Sequence, residues 1–494
     1  MDTNEKIKTK ISRRDAIKMG SLTAAVTAFS ALVSPRKTVA QTVSTVTDTG
    51  ESRAKHHQTI DDICRIDPNM ERFDQANTAF AKSILDDFGV IPLSKEDNPE
   101  MRHAFMNVVF ANNGFNMITN QENPHLKEKK IGHRDIDLSL DCGAMALENM
   151  TGSSLARVLA NESGPSITMP DGTLLPISLY KQSVPTPGQF DVFPRKHYFD
   201  SADDATYAIK KAAKLYGADM VGIAPFEERW VYKSEVYLPM DMNGIPVKDK
   251  IDPYREVKFG FKPKSVIVLG FEMDYEAYKT QPSAIGAAAT SMGYTKMMET
   301  STRLAYMLRR LGYNTLHAGN AVGVSVPLAI QAGLGESSRM GLLVTEEYGP
   351  RVRLAKVYTD LDLAIDSPKT FGVKEFCEIC QKCADSCPSG AISKAVKTTD
   401  PENKPISVCN GRGVDKWYND HQKCMAFWGE NWGECAVCIS VCPYNKIDMW
   451  HHDAAKVITK VPGLRRLARS FDEIFGYGKA GSEKLMQSFW KRRI

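Results

Sequence analysis

The sequence predicts a helix-covered sheet, an α+β or α/β sandwich, followed by a small cysteine-rich domain. Two observations carry that expectation. Between Ser201 and Thr359 helical and strand patterns of modest length alternate. Nine of the eleven cysteines then fall between positions 377 and 442. At 494 residues the chain has room for two or three domains.

The first element is a leader. Lys6, Lys8, Lys10, Arg13 and Arg14 form a basic head, and a weakly apolar run from Met19 to Val33 follows. Thr38-Val39-Ala40 supplies a small-residue cleavage site. Ser12-Arg13-Arg14-Asp15-Ala16-Ile17-Lys18 reads as a twin-arginine export signal, with Ala16 where Phe is more usual. The apolar run is too short to span a bilayer, and no later stretch of about 20 apolar residues occurs. Residues 1–40 hold eight basic and three acidic side chains, so the remaining 55 basic and 56 acidic residues nearly cancel. A near-neutral body argues against nucleic acid as a partner.

Residues 41–200 form a variable region without a catalytic motif. From Ser201 the pattern sharpens. Ala202 to Tyr216 has helical spacing and stops at Gly217. Asp219–Ala224 and Ser265–Phe271 read as strands, the second apolar throughout. Ser283 to Leu311 is a long Ala/Met-rich helix ending at Gly312. A strand over Asn314–Ala318, a helix over Ser325–Ala332 and strands over Leu342–Thr345 and Val352–Thr359 complete the region. Gly333-x-Gly335 lacks the dinucleotide spacing, and no P-loop occurs. None of the ten histidines stands in an Asp-x-His, so the element of His-on cobalamin binding is missing.

The cysteine block carries the most specific signal. Cys377, Cys380, Cys383 and Cys387 stand as C-x2-C-x2-C-x3-C before Pro388, the bacterial ferredoxin run for 4Fe–4S clusters. Its echo is Cys424, a gap of ten residues, then Cys435-x2-Cys438-x3-Cys442 before Pro443. Three thiolates of each run wrap one cubane and the last reaches across. Cys377, Cys380, Cys383 and Cys442 therefore take one cluster, and Cys387, Cys424, Cys435 and Cys438 the other. Structural zinc, the blander reading, favours paired knuckles instead. Cys64, Cys142 and Cys409 are left as ordinary thiols. Eight ligands for two cubanes leave no open iron, so in an enzyme the reacting centre would lie upstream.

The chain resembles the corrinoid-dependent reductive dehalogenases of anaerobic respiration. The likeness runs through the leader, Gly217-Ala218-Asp219-Met220-Val221-Gly222, Glu228-Arg229-Trp230-Val231-Tyr232 and Ala332-Gly333-Leu334-Gly335-Glu336-Ser337-Ser338-Arg339. It continues in Tyr348-Gly349-Pro350-Arg351-Val352-Arg353 and both cysteine runs. It covers residues 200–455 well and 41–200 poorly. It is nearest to members acting on chlorinated ethenes and ethanes. The resemblance implies a nitroreductase-like corrinoid domain over 201–365, a ferredoxin-like domain over 366–460 and a tail over 461–494. It also implies a base-off cobamide, as cob(I)amide fed by the two clusters, that replaces halogen by hydrogen on a halogenated organic.

By the same resemblance Tyr294 is the proton donor, flanked by Arg353 and Asn320, and Trp428 shapes the pocket. Gly323, Ser325, Gly333 and Gly335 are candidate corrin-contacting positions, the glycines because bare backbone permits close approach. A free tyrosine ionises near about 10, so it keeps its proton at neutral pH. A neighbouring guanidinium stabilises the tyrosinate left after transfer. Without the resemblance Tyr294 would read as a core aromatic, Arg353 as a strand surface residue and Asn320 as a turn former. His451 and His452 read as solvated. The implied partners are a small integral-membrane anchor protein, a respiratory electron donor and the twin-arginine machinery, at the outer face of the cytoplasmic membrane. Two rivals stand beside this reading: an epoxyqueuosine-reductase-like corrinoid enzyme and a non-catalytic electron-transfer subunit.

Overall fold

A computed structural model describes residues 54–107, 123–144, 166–168, 174–176, 196–237, 248–400, 408–445 and 478–491, apart from positions 106, 135, 142, 143 and 480. The leader, Cys142, His451 and His452 lie outside the described residues.

Helix α1 spans Ala202–Leu215 and starts where the Ser201 hydroxyl accepts from Asp204 N at 3.0 Å. It stops at Gly217, whose φ of +113° a side chain rarely adopts. Strands β1 (Met220–Pro225) and β2 (Ser265–Glu272) follow. Then come the long helix α2 (Ala284–Arg310), β3 (Thr315–Ala318), α3 (Ser325–Gln331) and β4 (Val352–Thr359). The sheet order is β1-β2-β4-β3, and every neighbouring pair is antiparallel. Strands β2 and β3 run the same way and are joined through α2. Strand β4 fills the gap between them, giving a split β-α-β unit. Alternating elements suggested either an α/β or an α+β sheet; the inserted β4 places it in the α+β class. Leu343–Val344 pairs with Glu336–Ser337 and stays outside this sheet.

Side chains alternate across the sheet with a period of two. Ile267, Leu269, Phe271, Ala355 and Val357 pack with α1 and α2. Val266, Val268, Leu354 and Tyr358 pack on the opposite face with Leu328 and Ala329 of α3. The sheet is therefore covered on both sides.

The cysteine-rich part is built from short helices: α4 (Val373–Cys380), α5 (Lys382–Asp385), α6 (His421–Asn431) and α7 (Val437–Ser440). Residues 54–107 strap it, which the sequence pattern did not foretell. Lys55–His56 pairs with Lys369–Thr370, Ile66 bridges Val414, and Asn98 N donates to Gln422 Oε1 at 3.0 Å. Two buried arginines join the halves. Arg339 donates to the carbonyls of Cys377 and Ser393, at 3.0 and 2.7 Å. Arg351 donates to Asn445 Oδ1 at 3.0 Å and to Glu272 Oε1 at 2.6 Å. No helix among the described residues is long and apolar enough to cross a membrane.

Candidate active site and cluster sites

Tyr294 stands on α2, Arg353 near the start of β4, and Asn320 in the loop between β3 and α3. The fold brings the three together. Arg353 Nη1 donates to the Tyr294 hydroxyl at 3.1 Å, and Asn320 Nδ2 donates to the same oxygen at 3.0 Å. The guanidinium also lies 4.3 Å from the centre of the phenol ring. Arg353 reaches there because Gly293 leaves room; a Cβ at 293 would sit 2.8 Å from Arg353 Cγ. Tyr294 and Arg353 are half-buried and Asn320 is exposed, so the phenolic oxygen faces an open side.

Behind this trio lies a polar layer that sequence reasoning missed. Tyr278 and Thr290 share a hydrogen bond of 2.9 Å. Burial holds the Glu434 carboxyl above the usual carboxylate range, against the pull of Arg353 and a hydrogen bond with Thr290. Ser291 donates to Asp141 at 2.6 Å, and burial pushes that carboxyl well up, with the charge of Glu434 adding to the effect. Glu434 immediately precedes Cys435, so it stands between the phenol site and a candidate cluster ligand. No spacing in the sequence marks Asp141 or Glu434.

The four candidate glycine and serine positions have structural partners of their own. A Cβ at Gly323 would fall on the Trp230 carbonyl, one at Gly333 on that of Ser367, and one at Gly335 on that of Val344. Ser325 Oγ accepts from Lys356 Nζ at 2.8 Å. Trp428 packs against Met101, Ala104, Met425 and Ala426, one turn of α6 beyond Cys424, in a cluster that does not include Tyr294.

The cysteines gather as their spacing requires. Cys377, Cys380, Cys383 and Cys442 line one cavity together with Arg339, Phe376 and Tyr444. Cys424 senses the charges of Cys435 and Cys387, and Cys438 those of Cys435, Cys424, Cys383 and Cys387. The second set is thus also convergent, and Cys383 and Cys438 mark where the two sets meet. No disulfide joins the described cysteines. Among the described residues no three ligating side chains close on a single-ion point; the thiols ring a space instead. Burial pushes the Cys424 thiol up to about 12 and the Cys435 thiol up to about 11, with the neighbouring thiols adding. Such thiols ionise when a positive centre draws them, which iron does. The residues present fit two cubanes.

Comparison with known proteins agrees. Residues 376–445 match the 4Fe-4S double cluster binding domain. Over 402 residues, 73% of this chain and 72% of the relative, the sequence is 40% identical to the tetrachloroethene reductive dehalogenase of Desulfitobacterium hafniense strain Y51. It is 36% identical over 309 residues to that of Sulfurospirillum multivorans, covering 59% of this chain and 60% of that one. A solved catabolic reductive dehalogenase in complex with 3-bromo-4-hydroxybenzoic acid superposes with a TM-score of 0.56 at 20% identity. That match covers 89% of this chain, which spans 50% of the solved one. With a double-cluster domain in place and two fifths of the residues shared along most of a relative's length, the chain belongs to the reductive dehalogenases.

Proposed function

We propose that this oxidoreductase is a respiratory reductive dehalogenase that replaces halogen by hydrogen on a chlorinated ethene. The observation that carries the reading is the Tyr294 hydroxyl held by two donors on an open face. The printed substrate of the two curated relatives, tetrachloroethene, supports the substrate class. Family membership sets aside the two rivals, a tRNA-modifying relative and a bare electron carrier.

The phenolic oxygen accepts from two N–H donors, so its own hydroxyl proton is the one the site can give. When the carbon–halogen bond breaks reductively, the carbon gains carbanion character and needs that proton. As the proton leaves, charge grows on the oxygen that Arg353 and Asn320 already face, so the stabilisation is preorganised. A corrinoid held against this face would supply the strongly reducing chemistry that the reaction requires. A solved reductive dehalogenase is described as B12-dependent, in keeping with that cofactor. Tyr294, Asn320 and Arg353 would line its reacting side. The eight cysteines would hold the two cubanes that deliver electrons one at a time. The polar layer of Thr290, Glu434 and Asp141 would back the site away from solvent.

We place the sheet domain in the nitroreductase-like class. The enzyme would leave the cell interior by the twin-arginine route and sit against the outer face of the cytoplasmic membrane on a separate anchor protein. The leader motif supports that route.

The test uses anaerobically purified holoenzyme. Metal analysis should give about eight iron and about one cobalt per chain. Chloride should be released from tetrachloroethene and not from a chlorophenol. Tyr294→Phe should cost at least about 100-fold in turnover with visible spectra unchanged. Full turnover in that variant would remove Tyr294 as the donor.

A further inference from the structure

Strand β4 carries a lysine where the apolar face of the sheet meets α3. Lys356 is fully buried, and its side chain leaves the sheet on the same side as Leu354 and Tyr358. Its ammonium donates to Gly319 O at 2.5 Å, Gly323 O at 2.8 Å and Ser325 Oγ at 2.8 Å. All three acceptors are uncharged oxygens. A buried charge answered only by neutral oxygens is costly, and burial alone pulls this ammonium down to about 7. An apolar residue would serve the core better.

The three acceptors bracket one short loop, 319–325, and that loop holds Asn320. It is not a relaxed turn. Val322 sits at φ +69° although its side chain is β-branched and buried, a conformation that persists only where the surroundings impose it. The surroundings are visible. Tyr232 N donates to Val322 O and Val324 N to Trp230 O, both at 2.9 Å. The Tyr232 hydroxyl reaches Asn320 O at 3.4 Å. These contacts hold one side of the loop; the Lys356 ammonium holds the inside.

We propose that Lys356 is a positioning residue, whose ammonium clamps the strained 319–325 loop so that the Asn320 amide meets the Tyr294 hydroxyl. The proposal rests on the assignment of Tyr294 and Asn320 to proton transfer. It gives the buried charge a use: Lys356 acts from the far side of the sheet, through backbone, on a group in the site. A misplacement of about 1 Å at a reacting group costs on the order of 100-fold.

The experiment compares holoenzyme carrying Lys356→Met, Asn320→Ala or both, with iron content as the check on folding. Lys356→Met should lower kcat about 10- to 100-fold and leave KM within about threefold. The double variant should be no slower than the slower single variant by more than about twofold, because both changes remove one placement. Amide hydrogen exchange, read without turnover, should speed up at least about tenfold in 319–325 and stay unchanged in α1. Unchanged loop exchange in Lys356→Met would overturn the clamp. Multiplied losses in the double variant would overturn its action through Asn320. Full turnover in Asn320→Ala would instead overturn the underlying assignment, with loop exchange still deciding the clamp. Should Lys356→Met fail to fold, Lys356→Gln, which keeps two N–H donors, carries the same comparisons.

Discussion

Replacing Arg353 by methionine tests the proton-transfer site most directly. The guanidinium carbon lies 4.3 Å from the phenol ring centre, and Nη1 lies 3.1 Å from the hydroxyl oxygen. A unit charge about 4 Å from a developing phenolate is worth about 4 kcal/mol at an effective dielectric of about 20. Both side chains are only half-buried, so solvent screening reduces this to about 2 kcal/mol. Only the share present in the transition state and absent from the ground state counts, and for charge that forms during transfer that is nearly all of it. Arg353→Met should therefore slow the protonation step about 30-fold. Single-turnover product formation on fully loaded enzyme is the assay. The solvent deuterium effect should grow, because protonation becomes more fully rate-limiting. Arg353→Lys should recover part of the loss, since it returns charge without the planar fork. A methionine variant within threefold of the parent rate at saturating substrate would refute the reasoning.

Three further predictions follow from the same geometry. Cys380→Ala should leave about four iron per chain where the parent holds about eight, with the signal of the other cluster retained by electron paramagnetic resonance; equal loss of both would mean the two thiol sets are not independent. Gly323→Ala should cost about 2 kcal/mol or more in urea unfolding, because its Cβ meets the Trp230 carbonyl, which cannot move aside; an unchanged midpoint would contradict that packing. His133 is buried, and burial first, with His125 and Lys130 adding, holds its ring down to about 4 against an ordinary 6.5. Between those values the unfolded chain binds the extra proton, so stability falls as pH drops from about 6.5 to about 4, by about 3 kcal/mol; His133→Gln should flatten that slope in unfolding midpoints, and an equal slope in both proteins would count against it.

Much of the molecule was legible in its residues, for physical reasons that differ from part to part. Spacing alone picked out the eight cysteines that the fold gathers into two sets, because two interlocked cubanes would constrain a chain within a few residues. Helix α2 was legible from Ser283 to Gly312 because a capping hydroxyl and a left-handed glycine mark its ends. Strand direction was not: whether β4 lies beside or between its neighbours is decided by tertiary pairing, not by local pattern. The roles proposed for Tyr294, Arg353 and Asn320 rest on family likeness, and the fold sets both donors within 3.1 Å of one oxygen. Lys356 escaped notice because a lysine inside Val352–Thr359 reads as a solvent-facing position in an alternating strand. Asp141 and Glu434 escaped because a carboxyl's burial depends on chain segments far away in sequence. Residues 54–107 showed no catalytic pattern, and their contacts with Lys369–Thr370, Val414 and Gln422 are long-range pairings that no local pattern announces.

The Arg351 contacts carry a lesson for anyone dissecting this protein. Its guanidinium is sheathed by both halves at once, touching Glu272 from the sheet and Asn445 just beyond the last cysteine run. Severing the polypeptide near Phe371 would strand that cation beside an empty socket, so neither fragment would keep its native shape. The closing of the sheet and the packing of the cysteine-rich part are thereby tied together through one buried cation.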